Sequence, residues 1–488
     1  MADKDLASIQ EARDLVQKAR SAQLDFAKLS QEQIDQVVQA IARVMTAMAE
    51  DLAKLAVEET GYGNWEDKKQ KNLLASEKLL QRIDTLKTVG VIERDREQKI
   101  DKIAVPAGVV AALIPSTNPT STTIYKALIS LKAGNGVVFS PHPTATNCIG
   151  GTVAIIHQVL KELNISEELV SMTTMPTLEG TGELMKQADL ILATGGPAMV
   201  KAAYSSGTPA LGVGPGNVPV FIEKSADIQA AVRRVMAGKT FDYGTVCSSE
   251  QALVTEESIV AEVKKALLAE GCYFLEGAAA EKVKGLMTGP RGSMNPAIVG
   301  QSASTLAQMA GIEIPSGTRL LIYEEQGVGS GYPFSYEKLT SLLGFYTVPD
   351  WQAAAKLCTQ LLQNGGLGHS MAIHSNNEEI IRHFGLSQPV SRLLVNTPSS
   401  LGAVGATTNL DPSLTLGCGP VGGSSTTDNV GVQHLFNIRY VAYGLDSVSP
   451  PQGDNNAVDI EAISRLVFEQ LKKMDYVPAN AGVNFISS

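Results

Sequence analysis

The sequence is poor in residues that mark secreted, metal-binding and hydrolytic proteins. Its 488 residues include five cysteines and six scattered histidines. Dispersed cysteines in odd number argue against a disulfide framework and suit a reducing compartment. No CxxC or HExxH pattern supplies the ligand spacing of a metal site, so we expect no metal. No GxSxG occurs either, which argues against a Ser/His/Asp hydrolase.

Long apolar runs and an excess of positive charge are also missing. No uncharged apolar stretch reaches about eighteen residues, so the sequence predicts no membrane span. With 40 Lys+Arg against 50 Asp+Glu, the formal net charge is −10. This balance argues against nucleic-acid binding, which needs a basic face. The N-terminal segment MADKDLASIQEARDLVQKAR carries acids throughout, unlike a signal peptide. We therefore expect a cytoplasmic protein.

What remains is the composition of a globular protein, with 44% hydrophobic and 18% charged residues. Its length corresponds to roughly two to four domains. From Ser8 to about Ile83 apolar residues recur at helical spacing, and Ser30 with Gln33 forms a capping-box pattern. Gly61 is typical of a helix end. The first part of the chain is therefore predicted to be helical.

From Ile103 onwards short β-prone segments alternate with helical ones. A first series of strands is predicted at Val109–Ile114, Val137–Ser140, Leu169–Thr174, Leu190–Thr194 and Val218–Glu223. A second series is predicted at Ala252–Thr255, Arg319–Glu324, Met371–His374 and Leu393–Asn396. Apolar strands interleaved with helices are typical of parallel sheets covered on both faces. The predicted fold class is therefore α/β, with two such layers.

Further segments fit neither layer. Arg94–Val105 and Asn437–Tyr443 are β-prone, and they are expected to pair as an outlying ribbon. Ser447–Asn456 has the Pro, Gly, Ser and Asn content of a linker, and Ala479–Ser488 resembles a frayed end. Between them a single apolar stripe predicts a short amphipathic helix. The stripe consists of Ile460, Ile463, Leu466, Val467, Leu471 and Met474.

Cys247, in the segment FDYGTVCSSE, is a candidate nucleophile. It lies between a predicted helix and a predicted strand, among small residues. A thiolate attacks carbonyl carbons readily. A buried, inert cysteine is the alternative interpretation, since most free cysteines are of that kind.

Asn118, in the segment IPSTNPTSTT, follows a predicted strand and precedes a proline. An amide N–H at a strand end is suited to stabilising the oxyanion that forms when a thiolate attacks a carbonyl. A turn asparagine is the alternative, because Asn-Pro often begins turns.

Two glycine-rich turns follow strands, at Thr194-Gly195-Gly196 and at Gly212–Asn217. Such turns let the backbone approach a phosphate or a nicotinamide closely. Neither matches the GxGxxG fingerprint, so a structural turn is an equally good interpretation of each.

Together these segments resemble the aldehyde dehydrogenase superfamily, in particular its CoA-acylating branch, which includes acetaldehyde and propionaldehyde dehydrogenases. The resemblance extends over roughly residues 5–445 and depends on several motifs in the family's order. They are IPSTNPTSTTIYKALISLKAGNGVVFSPHP, VGPGNVPVFIEKSADI, KTFDYGTVCSSEQ, GGLGHSMAIH, RLLVNTPSS and PSLTLGCGPVGGSS.

The resemblance implies a reaction and its central residues. Cys247 is the implied nucleophile, and Asn118 is the implied oxyanion donor together with the backbone N–H of Cys247. The implied cofactor is NAD, with coenzyme A as co-substrate. A short-chain aldehyde, acetaldehyde or propionaldehyde, becomes an acyl-CoA through a thioacyl enzyme. Succinic semialdehyde and a sulfonated aldehyde are the alternative substrates.

The same resemblance implies the cofactor contacts. Glu337 aligns with the acid that binds the nicotinamide ribose, although an exposed glutamate is an alternative interpretation. His369 is an implied polar contact near the cleft or a structural histidine, and Cys418 is implied to line the cleft. The remaining implied contacts are Ser140, Pro141, His142, Thr194, Gly195, Gly196 and Gly214. Ser140-Pro141-His142 stands where hydrolytic members have a lysine at the adenosine ribose, which leaves NAD versus NADP open.

Val213 is the most informative departure from the hydrolytic members of the family. Those members have a glutamate at about this position, which serves as general base for water. Without a base, water attacks a thioester slowly, whereas a thiol needs less activation. Val213 therefore favours the acylating reaction. A hydrolytic aldehyde dehydrogenase, an acyl-phosphate reductase and a non-catalytic homologue are the alternatives.

The resemblance also divides the chain. It implies a Rossmann-type cofactor domain (1–93 and 106–222), a catalytic domain (223–430) and an oligomerisation ribbon (94–105 and 431–445). We therefore expect a homodimer or tetramer. Residues 446–488, the linker and amphipathic helix, resemble the peptides that carry enzymes into bacterial microcompartments. A shell is thus one expected partner, and packing on the enzyme's own surface is the alternative.

Overall fold

The structure, a computed structural model, describes residues 3–287, 295–445 and 459–473. The chain divides into two compact units. One extends up to Glu93 and continues over Asp101–Tyr440, and the second contains Arg94–Ile100 with the described residues from Val441 onwards.

The first part of the chain is helical, as predicted. Ser30 caps the second helix in a complete capping box with Gln33, and Gly61 ends the third with φ of 68°. A π-helical turn, Leu74–Lys78, separates the fourth helix from the fifth. The helices are α1 (Lys4–Phe26), α2 (Gln31–Ala47), α3 (Ala49–Thr60), α4 (Trp65–Leu73) and α5 (Leu79–Ile83).

The predicted outlying ribbon forms a three-stranded sheet. Its strands are β1 (Gly90–Asp95), β2 (Ile100–Pro106) and, from the far end of the sequence, Phe436–Ala442. The order is β1, β2, Phe436–Ala442, which confirms that these distant segments associate.

A five-stranded parallel sheet follows in the order β5-β4-β3-β6-β7. Alternate residues of its central strand, VVAALI, pack into different cores on the two faces, because successive side chains of a strand point in opposite directions. The strands are β3 (Val109–Ile114), β4 (Gly136–Pro141), β5 (Val170–Met172), β6 (Leu190–Thr194) and β7 (Ala210–Val213). The helices are α6 (Pro119–Lys132), α7 (Thr146–Glu162), α8 (Leu178–Gln187) and α9 (Pro197–Ser205).

A seven-stranded parallel sheet consists of β8 (Val218–Ile222), β9 (Glu250–Glu256), β10 (Cys272–Phe274), β11 (Leu320–Glu324), β12 (Leu342–Val348), β13 (Gly368–His374) and β14 (Val390–Val395). Its strand order is β10-β11-β12-β9-β8-β13-β14. Its helices are α10 (Ile228–Thr240), α11 (Val260–Ala269), α12 (Gly277–Met287), α13 (Ala303–Ala310), α14 (Trp351–Gln363), α15 (Glu378–Ser387) and α16 (Ser399–Ala403). The remaining strand of the ribbon sheet, Phe436–Ala442, is β15.

Two α/β layers are therefore present, with one correction to the predicted strands. The segment Val218–Glu223 was predicted with the first series, but β8 pairs with β9 and β13 of the second sheet. Only a short turn joins β7 to β8, and nothing in VPVFI distinguishes one buried parallel strand from another. Strands β10 and β12 were not predicted, β12 because Gly344 interrupts its apolar pattern. A Cβ there would lie 2.9 Å from the Phe334 carbonyl oxygen, so the strand needs this glycine.

The predicted amphipathic helix is α17 (Ile460–Lys473). Its apolar side chains are exposed, Ile460 to 76% and Leu466 to 62% of their surface. Met474 of the predicted stripe, the predicted linker and the predicted frayed end lie outside the described residues. Within the described ranges, no helix combines the length and apolar character needed to cross a bilayer. Those same ranges contain no group of three or more metal-ligating side chains.

Candidate active site

One cavity, of about 790 Å³, brings the two central candidates together. Cys247 enters it from the turn before β9, and Asn118 enters it from the start of α6. His142, Thr194, Gly195, Gly196, Gly214 and Glu337 also line it. The structure therefore places eight of the predicted site residues around a single volume.

Cys247 is held where two segments meet closely. A Cβ on Gly216 would lie 2.1 Å from the Cys247 carbonyl oxygen, so only glycine fits opposite the cysteine. The same Cβ would lie 3.2 Å from the His369 ring. Burial, reinforced by Glu337, raises the pKa of the Cys247 thiol to about 12, although Arg392 opposes the shift. The resting side chain is therefore a thiol at neutral pH.

Asn118 is the N-cap residue of α6, yet its side chain does not cap the helix. Pro119 occupies the first helical position and has no N–H to offer. The Asn118 Oδ1 instead accepts a hydrogen bond from Lys71 Nζ at 2.6 Å, and its Nδ2 donates to Thr117 Oγ1 at 3.1 Å. The amide is thus turned away from the helix, at the cavity wall.

A buried charge cluster lies behind Asn118. Lys68 and Lys71, one turn apart on α4, both donate to Asp242 Oδ2, and Asp242 is fully buried. Burial alone would raise the pKa of Asp242, but the two lysines lower it. Burial lowers the pKa of Lys71 to about 8 against the opposing effect of Asp242. Asp242 has φ of 49°, an unusual conformation for a residue other than glycine.

The remaining predicted cofactor contacts line a second, smaller cavity of about 190 Å³. Ser140 and Pro141 lie in it, and it shares His142, Thr194, Gly195 and Gly196 with the larger cavity. It lies at the carboxyl ends of β3, β4 and β6. In this sheet β4 lies on one side of β3 and β6 lies on the other, so the direction in which successive strands are added changes at β3. Open α/β sheets bind dinucleotides at the carboxyl ends of the strands beside such a point.

Glu337 contacts the backbone of Gly216, which lies against Cys247. Its Oε1 accepts a hydrogen bond from the Gly216 N–H at 3.0 Å. Burial raises the pKa of Glu337 to about 7, and the Gly216 bond and Lys239 oppose this. The residue is therefore a partly buried carboxylate in the cavity wall, not an exposed surface glutamate.

His369 and Cys418 lie behind the site, outside the lining of both cavities. His369 is fully buried, and burial together with Arg392 lowers its pKa to about 3. Cys418 packs in the same apolar cluster as Cys247. Arg392 joins the two segments by donating to the carbonyl oxygens of His369 at 2.9 Å and Gly417 at 2.6 Å.

Val213 lines the large cavity at the end of β7 and is 2% exposed. The position predicted to correspond to the hydrolytic base therefore carries an apolar side chain that faces the cavity. The carboxylates among the cavity-lining residues are Glu77 and Glu337.

Sequence reasoning missed the residues that support the site, above all Lys68, Lys71, Asp242 and Arg392. In EDKKQKN the lysines look like the polar face of a surface helix. The one available signal is that α4, WEDKKQKNL, has no apolar stripe at helical spacing, so any face of it that packs inward must bury polar side chains.

Comparison with known proteins places the chain among enzymes of one kind. Residues 1–320 match the model of the aldehyde dehydrogenase family. The chain is 42% identical to an aldehyde-alcohol dehydrogenase of Clostridium acetobutylicum, over 90% of this chain and 51% of that protein. The chain thus spans about half the length of that relative. It is 36% identical to a succinate-semialdehyde dehydrogenase (acetylating) of Clostridium kluyveri, over 88% of this chain and 95% of that protein.

Solved structures agree with this similarity. An acetylating aldehyde dehydrogenase from Geobacillus thermoglucosidasius superposes with a TM-score of 0.90 at 49% identity, over 92% of this chain and 99% of that one. A propionaldehyde dehydrogenase from the fucose utilisation bacterial microcompartment of Clostridium phytofermentans gives 0.80 at 30% identity, over 88% and 97%. The Rhodopseudomonas palustris propionaldehyde dehydrogenase with bound propionyl-CoA gives 0.80 at 28% identity, over 88% and 94%. The predicted resemblance to the acylating branch is confirmed.

Proposed function

Since the chain belongs to the aldehyde dehydrogenase family, we propose that it converts a short-chain aldehyde, CoA and NAD reversibly into acyl-CoA and NADH. Acetaldehyde is the substrate we favour, with propionaldehyde next. The observation that carries this proposal is the shared cavity of Cys247 and Asn118, with Val213 in place of a hydrolytic base. Relatives named acetylating dehydrogenases support it.

Cys247 forms the covalent bond of the first half-reaction. The Cys247 thiol first releases its proton to water, its Sγ thiolate then bonds to the aldehyde carbon, and the carbonyl π electrons move to the oxygen. Asn118 Nδ2 and the Cys247 backbone N–H donate to that oxyanion. A nicotinamide held beside Glu337 would supply the hydride acceptor that collapse of this oxyanion requires. Cys247 then carries the acyl group as a thioester.

Val213 governs the second half-reaction. The CoA thiolate attacks the thioester carbon, and Cys247 leaves as a thiolate, so the exchange is of one sulfur for another. Water would need a base to compete with it. The apolar Val213 side chain supplies none, so the acyl group passes to the thiol.

The residues around the two cavities together fit a dinucleotide. A Cβ on Gly196 or on Gly214 would meet no atom within 4 Å, so the protein itself does not require either glycine. Gly196 precedes α9, whose N-terminal end favours an anion. We assign the pyrophosphate to this turn, the ribose of the nicotinamide to Glu337, and the adenosine side to Ser140, Pro141 and His142.

Acylating oxidation of succinic semialdehyde is the second candidate, favoured by the Clostridium kluyveri relative. An anionic substrate needs a cation in the cavity. Of the two lysines in its lining, Lys71 bonds to Asp242 and Lys78 donates to the Ala406 carbonyl oxygen at 2.6 Å. Because both lysines already have partners, the uncharged aldehydes fit better.

The test is NADH formation from an aldehyde panel with and without CoA. We expect formation to depend on CoA, to be fastest with acetaldehyde or propionaldehyde, and to vanish in Cys247→Ala. Equal rates without CoA would instead support a hydrolytic dehydrogenase. A strong preference for succinic semialdehyde would support the second candidate.

We further propose that the protein is a homodimer or tetramer assembled through the sheet of β1, β2 and β15. We also propose that α17 docks on a microcompartment shell, which would place a cytoplasmic enzyme inside that compartment. The exposed apolar side of α17 and the microcompartment relative support the second proposal. Confinement would retain a volatile, reactive aldehyde next to its enzyme.

A further inference from the structure

The Asn118 amide is fixed by a lysine, and the contact determines its orientation. An ammonium group only donates hydrogen bonds, so the atom that Lys71 Nζ contacts at 2.6 Å must be the amide oxygen. The Nδ2 group therefore lies on the opposite side. One of its two protons goes to Thr117 Oγ1 at 3.1 Å. The other is left for the cavity that Asn118 lines.

All three ammonium protons of Lys71 are used in hydrogen bonds within the protein, so none is available to a substrate. Its acceptors are Asn118 Oδ1, Asp242 Oδ2 and the two oxygens of Thr245, which both lie 3.3 Å away. Three directions use all three ammonium protons. Lys71 therefore acts on the reaction through Asn118.

Asp242 fixes Lys71 in turn. It is fully buried, accepts from Lys68 Nζ at 2.9 Å and accepts from the Asn64 N–H at 2.9 Å. Two ammonium groups share this one carboxylate, so the three side chains together carry an excess positive charge. That charge lies directly behind the Asn118 oxygen.

We propose that Lys71 is a positioning residue of the oxyanion hole, which it orients and polarises through the Asn118 carbonyl oxygen. This inference rests on the oxyanion role proposed for Asn118. A cation at the amide oxygen draws electron density from the amide and strengthens its N–H as a donor. The donor is thereby set in place before the oxyanion forms, as electrostatic preorganisation requires.

Lys68 is the matched control. It is as buried as Lys71, bonds to the same carboxylate oxygen, and lies one turn earlier on α4. Its other bond goes to the Thr117 carbonyl oxygen at 2.9 Å, not to the Asn118 side chain. Lys68→Met thus reproduces the damage to the charge cluster without releasing the amide oxygen.

The experiment is a double-mutant cycle on kcat for acyl-CoA formation, with melting temperatures measured for each variant. Lys71→Met is expected to lower kcat about 10- to 100-fold, part of the cost of losing a whole oxyanion donor. The KM for aldehyde should change by less than about twofold, because the interaction strengthens only in the transition state. In an Asn118→Ala background the same substitution should lower kcat by about twofold or less. Lys68→Met should lower the melting temperature similarly but kcat by about threefold at most.

The possible outcomes distinguish the role of Lys71 from the oxyanion role proposed for Asn118. An unchanged kcat in Lys71→Met, or an equal loss in the Asn118→Ala background, would overturn the role of Lys71. An unchanged kcat in Asn118→Ala alone would overturn the role of Asn118 instead. If Lys71→Met has no cooperative unfolding transition, Lys71→Gln takes its place in the cycle. Its neutral N–H can still donate to the Asn118 oxygen, so the loss of kcat should be smaller, but it should again shrink to about twofold or less in the Asn118→Ala background.

Discussion

At the scale of single residues, the resting state of Cys247 makes a testable prediction. Its thiol pKa is raised to about 12 by burial, reinforced by Glu337. The thiolate fraction should then grow about tenfold per pH unit throughout the accessible range, since each unit below a pKa reduces ionisation by that factor. We expect iodoacetamide labelling of Cys247 in the free enzyme to rise steadily from pH 7 to 10. Peptide mass spectrometry measures it, with the fully buried Cys358 as the unlabelled control. A plateau near pH 7 would mean that the thiolate is already formed.

A substitution at Val213 tests whether the lack of a general base protects the thioester from hydrolysis. Val213→Glu should raise CoA-independent carboxylate release about tenfold or more, since a positioned general base contributes at least that much. Burial will raise the pKa of the new carboxyl, so the gain should increase with pH. The matched control is Val213→Gln, which has the same size and no basic group. Carboxylate release measured by coupled assay should not differ between Gln and wild type. Equal release by the Glu and Gln variants would show that the geometry does not support a base here.

At the scale of elements, the end of β13 should make stability depend on pH. His374 is fully buried, and neither of its ring nitrogens has a hydrogen-bond partner among the described residues. Burial, with help from Arg234, lowers its pKa to about 3. Below its ordinary pKa of about 6.5 the unfolded state binds a proton that the folded state does not. Stability is therefore complete above that pH and is lost as pH falls toward 3.

His374→Leu should consequently flatten this dependence. One proton corresponds to about 1.4 kcal/mol per pH unit, so the slope of unfolding free energy below pH 6 should fall by up to that amount. Denaturant unfolding between pH 5 and 7.5 measures it. Met371→Leu, on the same strand, controls for substitution without loss of a titrating group. His369 keeps its lowered pKa, so some slope should remain in His374→Leu. An unaltered slope would mean that His374 finds a partner for its proton.

The residues of the cavity and the strand β8 show how much of the site and of the fold can be predicted from the sequence. Sequence reasoning singled out Cys247, Asn118 and Val213, which line one cavity, because each lies in a continuous motif whose neighbours also line it. Lys71 was not singled out, because its partner Asp242 lies far away in the sequence and a buried lysine has no local signature. The assignment of β8 to the first series was wrong for a similar reason. Sheet membership depends on long-range pairing, whereas apolar character and length are all that a five-residue strand displays.

At the scale of the whole molecule, the sheet of β1, β2 and β15 predicts self-association. On β15, Ile438 is 44% and Tyr440 60% exposed. Exposed edge strands with apolar side chains associate readily unless they are paired or covered. Light scattering should give two or four times the chain mass of 51.6 kDa. Tyr440→Asp should shift the mass downward, whereas Leu386→Asp, at an 83% exposed position on α15, should not. A monomeric wild type would contradict the proposed assembly.

At the same scale, we predict that the helix α17 directs the enzyme to a microcompartment shell. Phe468, which is 65% exposed, adds to the apolar surface of the predicted stripe. Short helices that dock into grooves of a partner protein do so through one apolar side of this kind. Truncation after Val448 should leave turnover and melting temperature nearly unchanged if the helix serves only for docking. A fluorescent protein fused to residues 449–488 should then localise to co-expressed shells. Leu466→Asp should abolish that localisation, while Lys472→Ala, on the charged side, should preserve it. Loss of stability on truncation together with a diffuse fusion would instead mean that the stripe packs on the enzyme itself, because the same apolar surface cannot serve both partners at once.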